Sequence, residues 1–392
     1  MGTADQFKMA ENEDITLFRD MLLRCLEKEV IPHYDQWEKE GWMPKETWLM
    51  LGAAGMLGPD MPEEFGAAGA PFEVALMILE ETCRLNLHSL STALNVHANI
   101  VMPYINNLGT AEQKAQWLPR MVTGEIVGSI GMTEPGAGSD LAGMRTNAVR
   151  NGDEWVINGS KTFITGGMRA NWLSAAVRTG SAGADGVSMV LIPMDAEGVE
   201  VVRPMQVFGR DDAPHGHMHI KFHNVRVPEN NLILGRGRGF EISQGRLGPG
   251  RIHHCMRSIG AAEKALDLMC KRAVSREAFG KPLAELGGNY DIIADSRIEI
   301  EMCRLLTFKT AWLMDTIGNK AARDAISQIK VAVPNMALRV IDRAIQMHGA
   351  AGISQDFPLA ALWTSQRTLR LADGPDEVHR RVIARKELAK YT

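Results

Sequence analysis

The segment LRLADGPDEVHR, residues 369–380, contains the residue types that proton transfer requires. It holds three acids, Asp373, Asp376 and Glu377, and Gly374-Pro375 separates the first acid from the other two. Asp376 and Glu377 follow this break and are typical of the first turn of a helix, where acidic side chains favour the helix dipole. Asp373 precedes the break, so a solvated helix start explains it poorly. We therefore take Asp373 as the candidate acid or base.

Four further segments combine small residues with hydroxyl, aromatic or basic side chains: GSIGMTEPGAGSD (128–140), GSKTFITGG (159–167), REAFGKPL (276–283) and IQMHGAAGIS (345–354). Glycines let a backbone approach a ligand closely, and hydroxyls can bind it. Phe163 and Thr165 are two apart on a predicted strand, so they share a face that could line a flat heterocycle. Arg276 and Phe279 could hold an adenine or a pyrophosphate. Taken singly, each segment also fits a turn, a packed aromatic ring or a helix end.

Bulk composition excludes several classes of protein. The chain has 392 residues, a net charge of −4 and 45% hydrophobic residues, which fits two or three globular domains and gives no electrostatic case for nucleic-acid or membrane binding. We find no apolar run of about 18 residues and no signal peptide at the acidic start, so we expect a cytoplasmic protein. The five cysteines are scattered without a CxxC, which favours neither a disulfide framework nor a metal site.

Periodicity predicts helices, then a sheet, then helices again. Residues 12–126 read as helices, and short strands follow, starting with a hairpin at Asn151-Gly152. From about residue 244 helical spacing returns and runs through 251–275, 289–317 and 320–348. The glycine-rich GRGRGF (235–240) lacks the spacing of a nucleotide loop and reads as a strand-to-helix connection. We predict an α+β protein with domains at 1–127 (helical), 128–243 (β) and 244–392 (helical).

Taken together, the five segments resemble the flavin-dependent acyl-CoA dehydrogenases. GMTEPGAGSD is similar to that family's first signature, RLADGPDEVHR occupies the place of its second, and the similarity covers about residues 12–390. GRLGPGRIHHCMR (245–257) most resembles the subgroup of acyl-CoA dehydrogenase family members 10 and 11 and their bacterial relatives. The resemblance implies an N-terminal helical domain, a middle β-domain and a C-terminal four-helix bundle. It also implies FAD-dependent conversion of an acyl-CoA to the 2-enoyl-CoA.

The resemblance further implies roles for individual residues. Those matched to FAD contacts are Ile130, Met132, Thr133, Gly138, Ser139, Phe163, Ile164, Thr165, Arg276, Phe279, Gln346, Gly349, Ala350 and Glu377. Those matched to substrate contacts are Ser139, Gly248, Arg251, His254 and Gly374. Phe163 replaces a usual Trp beside the isoalloxazine, and Thr165 matches the residue that contacts flavin N5. Arg276 and Phe279 match residues that reach a neighbouring subunit's FAD, which implies at least a homodimer and usually a homotetramer, with electron-transfer flavoprotein as the acceptor.

Asp373 takes the position of the family's catalytic base. Most members carry Glu there, in a Tyr-Glu-Gly-Thr context, whereas this chain reads Ala372-Asp373-Gly374-Pro375. A relative, nitroalkane oxidase, also uses an Asp at this place. Some relatives place the base at the position of Gly250 instead, which this chain cannot do. We expect burial under a substrate to raise the pKa of Asp373 toward useful basicity.

The substrate is open to alternatives. The subgroup is associated with 4-hydroxyacyl-CoA breakdown, in which a kinase domain first phosphorylates the 4-hydroxyl. Arg251 and His254 lie three apart and share a helix face, as do His253 and Arg257, four apart. We expect the first pair to face an anionic 4-substituent, with binding of CoA or a neighbouring subunit as the alternative. A flavin oxidase of the same fold and a non-catalytic acyl-CoA-binding relative are the competing functions.

Overall fold

The structure is a computed structural model that describes residues 13–181 and 183–392, without the side chains of Ala184, Gln244, Arg246 and Leu247. The acidic segment before residue 13 lies outside the described residues. Along the described chain, the helices are α1 (Glu13–Glu29), α2 (Ile31–Glu40), α3 (Lys45–Ala53), α4 (Phe72–Arg84), α5 (His88–Val96), α6 (Met102–Leu108), α7 (Ala111–Val122), α8 (Gly239–Ser275), α9 (Asn289–Ile317), α10 (Arg323–His348), α11 (Leu359–Thr368) and α12 (Asp376–Leu388).

The strands lie almost entirely between α7 and α8. They are β1 (Gly128–Gly131), β2 (Asn147–Asn151), β3 (Glu154–Thr165), β4 (Trp172–Arg178), β5 (Val187–Pro193), β6 (Val199–Pro204), β7 (His217–Pro228), β8 (Leu232–Ile233), β9 (Glu277–Ala278) and β10 (Lys281–Pro282). The first eight form one sheet in the order β6-β7-β3-β2-β4-β5-β8, with β1 beside β4. The predicted order of helices, sheet and helices is confirmed.

Local signals in the first half act as expected. Gly109 ends α6, and Thr110 and Gln113 form a capping box at the start of α7. The predicted hairpin joins β2 to β3, but the two residues between the paired Asn151 and Glu154 are Gly152 and Asp153. The turn is therefore one residue later than the Asn-Gly dipeptide suggests. Gly152, at φ 68°, takes the left-handed conformation that the turn requires.

The predicted start of the second helical region is wrong. We expected helix from about residue 244 and clear helical spacing from 251, but α8 begins at Gly239 and continues through Gly248, Pro249 and Gly250. Glycine and proline have low helix propensity, and here tertiary packing overrides it. A β-carbon at Gly248 would lie 1.6 Å from Asn319 Oδ1, so only glycine allows this close approach. By contrast α9 matches its predicted range, 289–317.

The described chain divides into two compact units. One holds Leu76–Ser91 and Gly248–Thr392, and the other holds the residues up to Ala75 together with Thr92–Leu247. The predicted domain limits at 127/128 and 243/244 stay predictions. Within residues 13–181 and 183–392, no helix has both the length and the apolar character needed to cross a membrane.

Candidate active site

The signature loop after β1 is fixed by a buried ion pair in the sheet-containing unit. Lys161 Nζ on β3 lies 2.8 Å from Glu134 Oε1 and donates to the Met132 carbonyl oxygen at 3.1 Å. Glu134 also accepts from the backbone N–H groups of Arg145 and Thr146, at 2.7 and 2.9 Å. Burial acts to raise the pKa of the Glu134 carboxyl, but Lys161 and these donors outweigh it and lower that pKa. The ionised pair holds the loop against β3.

β3 carries Phe163 and Thr165 beside this loop. The pairing of β3 with β7 is irregular between Lys161 and Ile164, and Phe163 within it has φ 57°. Such a bulge re-aims a side chain, and the Phe163 ring is 49% exposed. The Thr133 carbonyl oxygen accepts from Thr162 N–H at 2.9 Å, so the loop and the strand are joined directly at this point.

A chain of polar contacts leads away from Thr165. Its hydroxyl lies 2.9 Å from His217 Nδ1, and His217 Nε2 lies 3.4 Å from Asp212 Oδ2. Its carbonyl oxygen accepts from the Ser129 hydroxyl on β1 at 2.5 Å. Thr165 is therefore held on both its backbone and its side chain.

These residues fit a flavin. A half-exposed aromatic ring and an oriented hydroxyl suit a flat heterocycle that carries ring nitrogens. At Gly136 and Gly138 an added β-carbon would meet nothing within 4 Å, so the loop is open for close approach by a ligand. The Ser139 side chain is exposed there. Ile130 is partly buried against the core and Ile164 is fully buried within it, so the Ile164 side chain is committed to packing.

The other unit carries the candidate base on a strained loop between α11 and α12. Asp373 has φ 54° and Gly374 has φ 101°. A left-handed backbone is uncommon for a residue with a side chain, and it persists where surrounding contacts hold it. The Asp373 carbonyl oxygen lies 3.0 Å from Arg251 Nε and 3.3 Å from His379 Nε2. Lys330 Nζ donates to the Leu369 carbonyl oxygen at 2.5 Å and lies 3.5 Å from that of Gly374.

The Asp373 carboxylate has its own partner. His254 Nε2 lies 2.9 Å from Asp373 Oδ2. Burial acts to raise the pKa of Asp373, but His254, then Arg251 and Lys330, outweigh it and hold that pKa well below its usual range. We expected a raised pKa under a bound substrate, and the free chain has a shift in the opposite direction. Asp373 is thus ionised before any substrate arrives, and the expected rise stays a prediction for the bound state.

Four of the proposed substrate and catalytic residues are therefore gathered in one place: Arg251, His254, Asp373 and Gly374. Lys330, Arg257 and His379 complete this cluster, although sequence patterns assign none of them a role in it. Lys330 is fully buried on α10 and Arg257 is almost fully buried on α8. A lysine within a long apolar helix is the one signal that could have marked Lys330, because such a residue is rarely buried without a partner. Gly248 packs against Asn319, as described above.

The remaining candidate residues lie elsewhere in the same unit. Arg276 follows α8, and Phe279-Gly280 forms the two-residue turn between β9 and β10, where the Phe279 side chain is 96% exposed. Gln346 lies in the last turn of α10, and Gly349 and Ala350 follow that helix, with Gly349 at φ 63°. Glu377 opens α12 with an exposed carboxylate, 3.9 Å from Arg380 Nη1.

Family models match three successive parts of the chain. They are described as the N-terminal, middle and C-terminal domains of acyl-CoA dehydrogenase, and they match residues 12–125, 129–225 and 237–388. Mycobacterium tuberculosis FadE2, named as a probable acyl-CoA dehydrogenase, is 50% identical over 294 residues, which are 74% of this chain and 72% of that protein. The chain belongs to the acyl-CoA dehydrogenase family.

Other comparisons bear on the fold and the subgroup. Acyl-CoA dehydrogenase family member 11 of Gallus gallus is 51% identical over 294 residues, which are 73% of this chain and only 38% of that protein. The acyl-CoA dehydrogenase structure from Geobacillus kaustophilus has a TM-score of 0.90 and 32% identity over 96% of this chain and 98% of its own. A glutaryl-CoA dehydrogenase from Mycobacterium smegmatis, solved with FADH2, has a TM-score of 0.87 and 24% identity over 98% of this chain and 96% of its own.

The predicted family, subgroup and fold are confirmed by these matches. The matched family is one of dehydrogenase enzymes, and FAD as the cofactor of this chain is part of the function proposed below. The assignments of individual site residues stay predictions.

Proposed function

We propose that this chain dehydrogenates an acyl-CoA thioester to the 2-enoyl-CoA, with Asp373 as the base that removes the α-proton. The observation that carries the proposal is an ionised carboxylate with one oxygen held and the other free. Oδ2 accepts from His254, and within the described part of the chain Oδ1 accepts no hydrogen bond. Oδ1 is therefore the oxygen that can take a proton.

The backbone at Asp373 supports the same role. Among the described residues, its N–H donates no hydrogen bond, while its carbonyl oxygen is held by Arg251 and His379. A fixed, unused N–H is suited to the thioester oxygen, where negative charge develops as the α-proton leaves. Such a preorganised donor needs no movement at the moment of reaction.

Met132, Thr133, Phe163 and Thr165 would face the flavin, while Arg276, Phe279, Gln346, Gly349 and Ala350 would contact the adenine and pyrophosphate end of a neighbouring subunit's FAD. FAD, when bound, supplies the hydride acceptor for the β-carbon. The ring of Phe163 would cover one face of the flavin, and Thr165 would place a hydroxyl at its edge. The loop held by Lys161 and Glu134 would exclude water from that side.

The test is replacement of Asp373 with Asn, with anaerobic flavin bleaching as the readout. We expect D373N to keep FAD and to bind acyl-CoA, while flavin reduction falls at least about 10²-fold, the low end for a positioned base. D373E tests whether the pocket requires the shorter acid for proton removal. E387Q is the matched control, because Glu387 is an exposed acid on α12 to which no role is assigned. A D373N enzyme that reduces its flavin at the normal rate contradicts the proposal.

The electron acceptor is tested on the same protein. We propose electron-transfer flavoprotein, in line with the family. Rapid steady-state oxygen consumption would instead identify the same-fold oxidase. A protein that binds FAD and acyl-CoA but never bleaches would be the non-catalytic relative.

We further propose a 4-oxygenated, anionic acyl chain as the substrate. Arg251 carries a cation beside the base. Burial is the largest cause that lowers the pKa of Arg251, and the positive charge of Arg323, at the start of α10, lowers it further. Two neighbouring guanidinium groups could bind a phosphate by charge-assisted hydrogen bonds. Both ring nitrogens of His254 have protein partners, so we pair Arg251 with Arg323 rather than with His254, the partner that the sequence suggested.

The substrate proposal predicts a selective loss. In R323M, flavin reduction by 4-phosphovaleryl-CoA should fall about tenfold or more, the worth of one charge-assisted hydrogen bond, while reduction by valeryl-CoA is unchanged. R385M, at an exposed arginine of α12, is the control. Equal rates for both substrates in the wild-type enzyme would contradict the anionic pocket.

We propose a homo-oligomer, at least a dimer. The exposed side of α9 carries apolar side chains at helical spacing: Ile298, Met302, Leu305 and Trp312. A row of this kind is typical of a helix that packs against another subunit. Sedimentation of the holoenzyme tests the assembly, and a monomer at micromolar concentration contradicts it.

A further inference from the structure

We infer that His254 is a positioning residue that holds one oxygen of the Asp373 carboxylate, and that Arg257 fixes the imidazole in the tautomer that can do so. This inference rests on the proposed role of Asp373 as the base. It gives His254 a different role from the substrate contact that the sequence suggested.

The tautomer follows from the contacts on both ring nitrogens. Arg257 Nη1 lies 3.3 Å from His254 Nδ1, and His254 Nε2 lies 2.9 Å from Asp373 Oδ2. A guanidinium group has only donors, so Nδ1 must accept. The ring proton is therefore on Nε2 and is donated to Asp373. An imidazolium would place an N–H on Nδ1 against the N–H of Arg257, so the geometry keeps His254 neutral.

His254 differs from Arg251, His379 and Lys330 in the atom that it holds. Arg251 from α8 and His379 from α12 bind the Asp373 carbonyl oxygen, and Lys330 from α10 binds neighbouring carbonyl oxygens. Within the described residues, His254 is the side chain that hydrogen-bonds the carboxylate itself. It therefore decides which oxygen faces the substrate, whereas the others fix the backbone.

A short acid makes this contact important. Asp has one methylene less than the Glu of most family members, so its carboxylate depends more on a partner for its orientation. With Oδ2 held, Oδ1 is presented in one direction and the rotation about the Cβ–Cγ bond is stopped. Near-attack geometry of this kind is sensitive to displacements of about 1 Å.

The experiment compares two replacements of His254 in the FAD-loaded enzyme. H254Q keeps a neutral N–H donor of similar reach, and H254L removes the donor at similar volume. We measure anaerobic flavin reduction by saturating acyl-CoA from pH 4 to 9. Saturation matters because the pKa of Asp373, low in the free chain, is expected to rise toward this range only under a bound substrate. Independently, we measure the rate of deuterium exchange at the substrate α-carbon. Exchange reports proton removal without hydride transfer.

The expected result is a displaced pH profile in one variant only. Loss of a donor to a carboxylate raises the pKa of that carboxylate. On acidification, the rate of H254L should therefore begin to fall at a higher pH than the rate of the wild type. The acidic limb of the pH–rate profile should move to higher pH by about one to two pH units, the effect expected of one hydrogen bond to a charged group. Deuterium exchange at pH 7 should fall about tenfold or more. H254Q should keep the wild-type limb. An unmoved limb in H254L, or equal displacement in both variants, overturns the inference.

Arg257 gives a second test that does not depend on H254L folding. R257M removes the donor from Nδ1, so the ring is no longer confined to one tautomer, although burial still acts to lower the pKa of His254. In the wild type the ¹⁵N shifts of the His254 ring should show a protonated Nε2 and an unprotonated Nδ1, and in R257M they should move toward a mixture of the two tautomers. A wild-type ring protonated on Nδ1 overturns the assigned tautomer. The role of Asp373 as the base and the role of His254 can be tested apart. Normal flavin reduction in D373N would contradict both roles, whereas an inactive D373N with a normal H254L profile would contradict only the role of His254.

Discussion

Gly250 on α8 faces the carboxylate of Asp373: a β-carbon at position 250 would lie 3.5 Å from Asp373 Oδ2. That distance is ordinary van der Waals contact, so the helix is open toward the base at this residue. The resemblance to acyl-CoA dehydrogenases implied that some relatives place the base at this position. In this chain the two positions adjoin one another, so either could deliver a carboxylate to the same α-proton.

This relationship predicts that the base can be moved. The double variant D373A/G250E should recover at least tenfold in flavin reduction over D373A alone, because a glutamate at position 250 extends toward the vacated place. The matched control is D373A/G250Q, which has the same length without a basic oxygen. Equal rates in the two double variants would show that position 250 does not reach the substrate. The measurement is anaerobic flavin reduction.

The buried pair Lys161–Glu134 predicts a coupled loss of stability and cofactor. K161M leaves an unpaired carboxylate in the core and should lower the free energy of unfolding by about 3–5 kcal/mol. It should also weaken FAD binding, because the loop carrying Met132 and Thr133 loses its anchor. Adding E134Q should restore part of the stability. R226M breaks the exposed pair Arg226–Glu154, 3.1 Å apart, and should cost about 0–1 kcal/mol in urea unfolding.

Buried His97 predicts acid sensitivity. Burial lowers its pKa to about 4, while Nδ1 accepts from Gly128 N–H at 3.0 Å and Nε2 lies 3.0 Å from the Met121 carbonyl oxygen. The unfolded chain binds a proton on this ring below about pH 6.5, and the folded chain does so only near its own lower pKa. Stability contributed by the neutral ring is therefore lost as the pH falls through that window.

The loss can be measured by difference. Between pH 7 and pH 5 the free energy of unfolding of H97Q should fall by about 2 kcal/mol less than that of the wild type, whatever its stability at pH 7. H223Q, at an exposed histidine, should behave like the wild type. The same pH dependence in H97Q and wild type would contradict this explanation.

Arg276 predicts a link between cofactor and assembly. If Arg276 and the exposed Phe279 reach a neighbouring subunit's FAD, R276A should weaken FAD binding and shift the oligomer toward smaller species. The cost of losing such a charged contact is about 2–5 kcal/mol. R381A, on α12, is the control. Full FAD affinity with normal sedimentation would show that the site is not shared.

Much of the fold could be predicted because its signals are local. The Thr110–Gln113 capping box, the β2–β3 hairpin and the limits of α9 depend on neighbouring residues, and they appear as expected or within one residue. Clear helical spacing in α8 was recognised only from residue 251, because Gly248 and Pro249 argue against a helix on local propensity. The close approach to Asn319, far along the chain, is not visible in that pattern.

The candidate site likewise has residues that local sequence indicates and contacts that only the fold brings together. Asp373 is proposed from its place before a Gly-Pro break and Arg251 from the helix that resembles the subgroup, and the structure brings the two residues together. The direction of the Asp373 pKa could not be found, because it depends on Lys330 and His254, which lie 43 and 119 residues away in sequence. Likewise, the contact between Thr165 and His217 requires the pairing of β3 with β7.

The capture of the Leu369, Asp373 and Gly374 carbonyl oxygens by cationic and imidazole side chains has a kinetic consequence. The amide N–H groups of this loop that donate hydrogen bonds, such as Ala372 N–H bonded to the Thr368 carbonyl oxygen at 2.9 Å, should exchange with deuterated solvent as slowly as those inside α10. A loop held this tightly would not swing onto a ligand. If Asp373 is the base, an acyl chain would thread past a stationary carboxylate, so discrimination among acyl chains would be set on entry, before any proton moves.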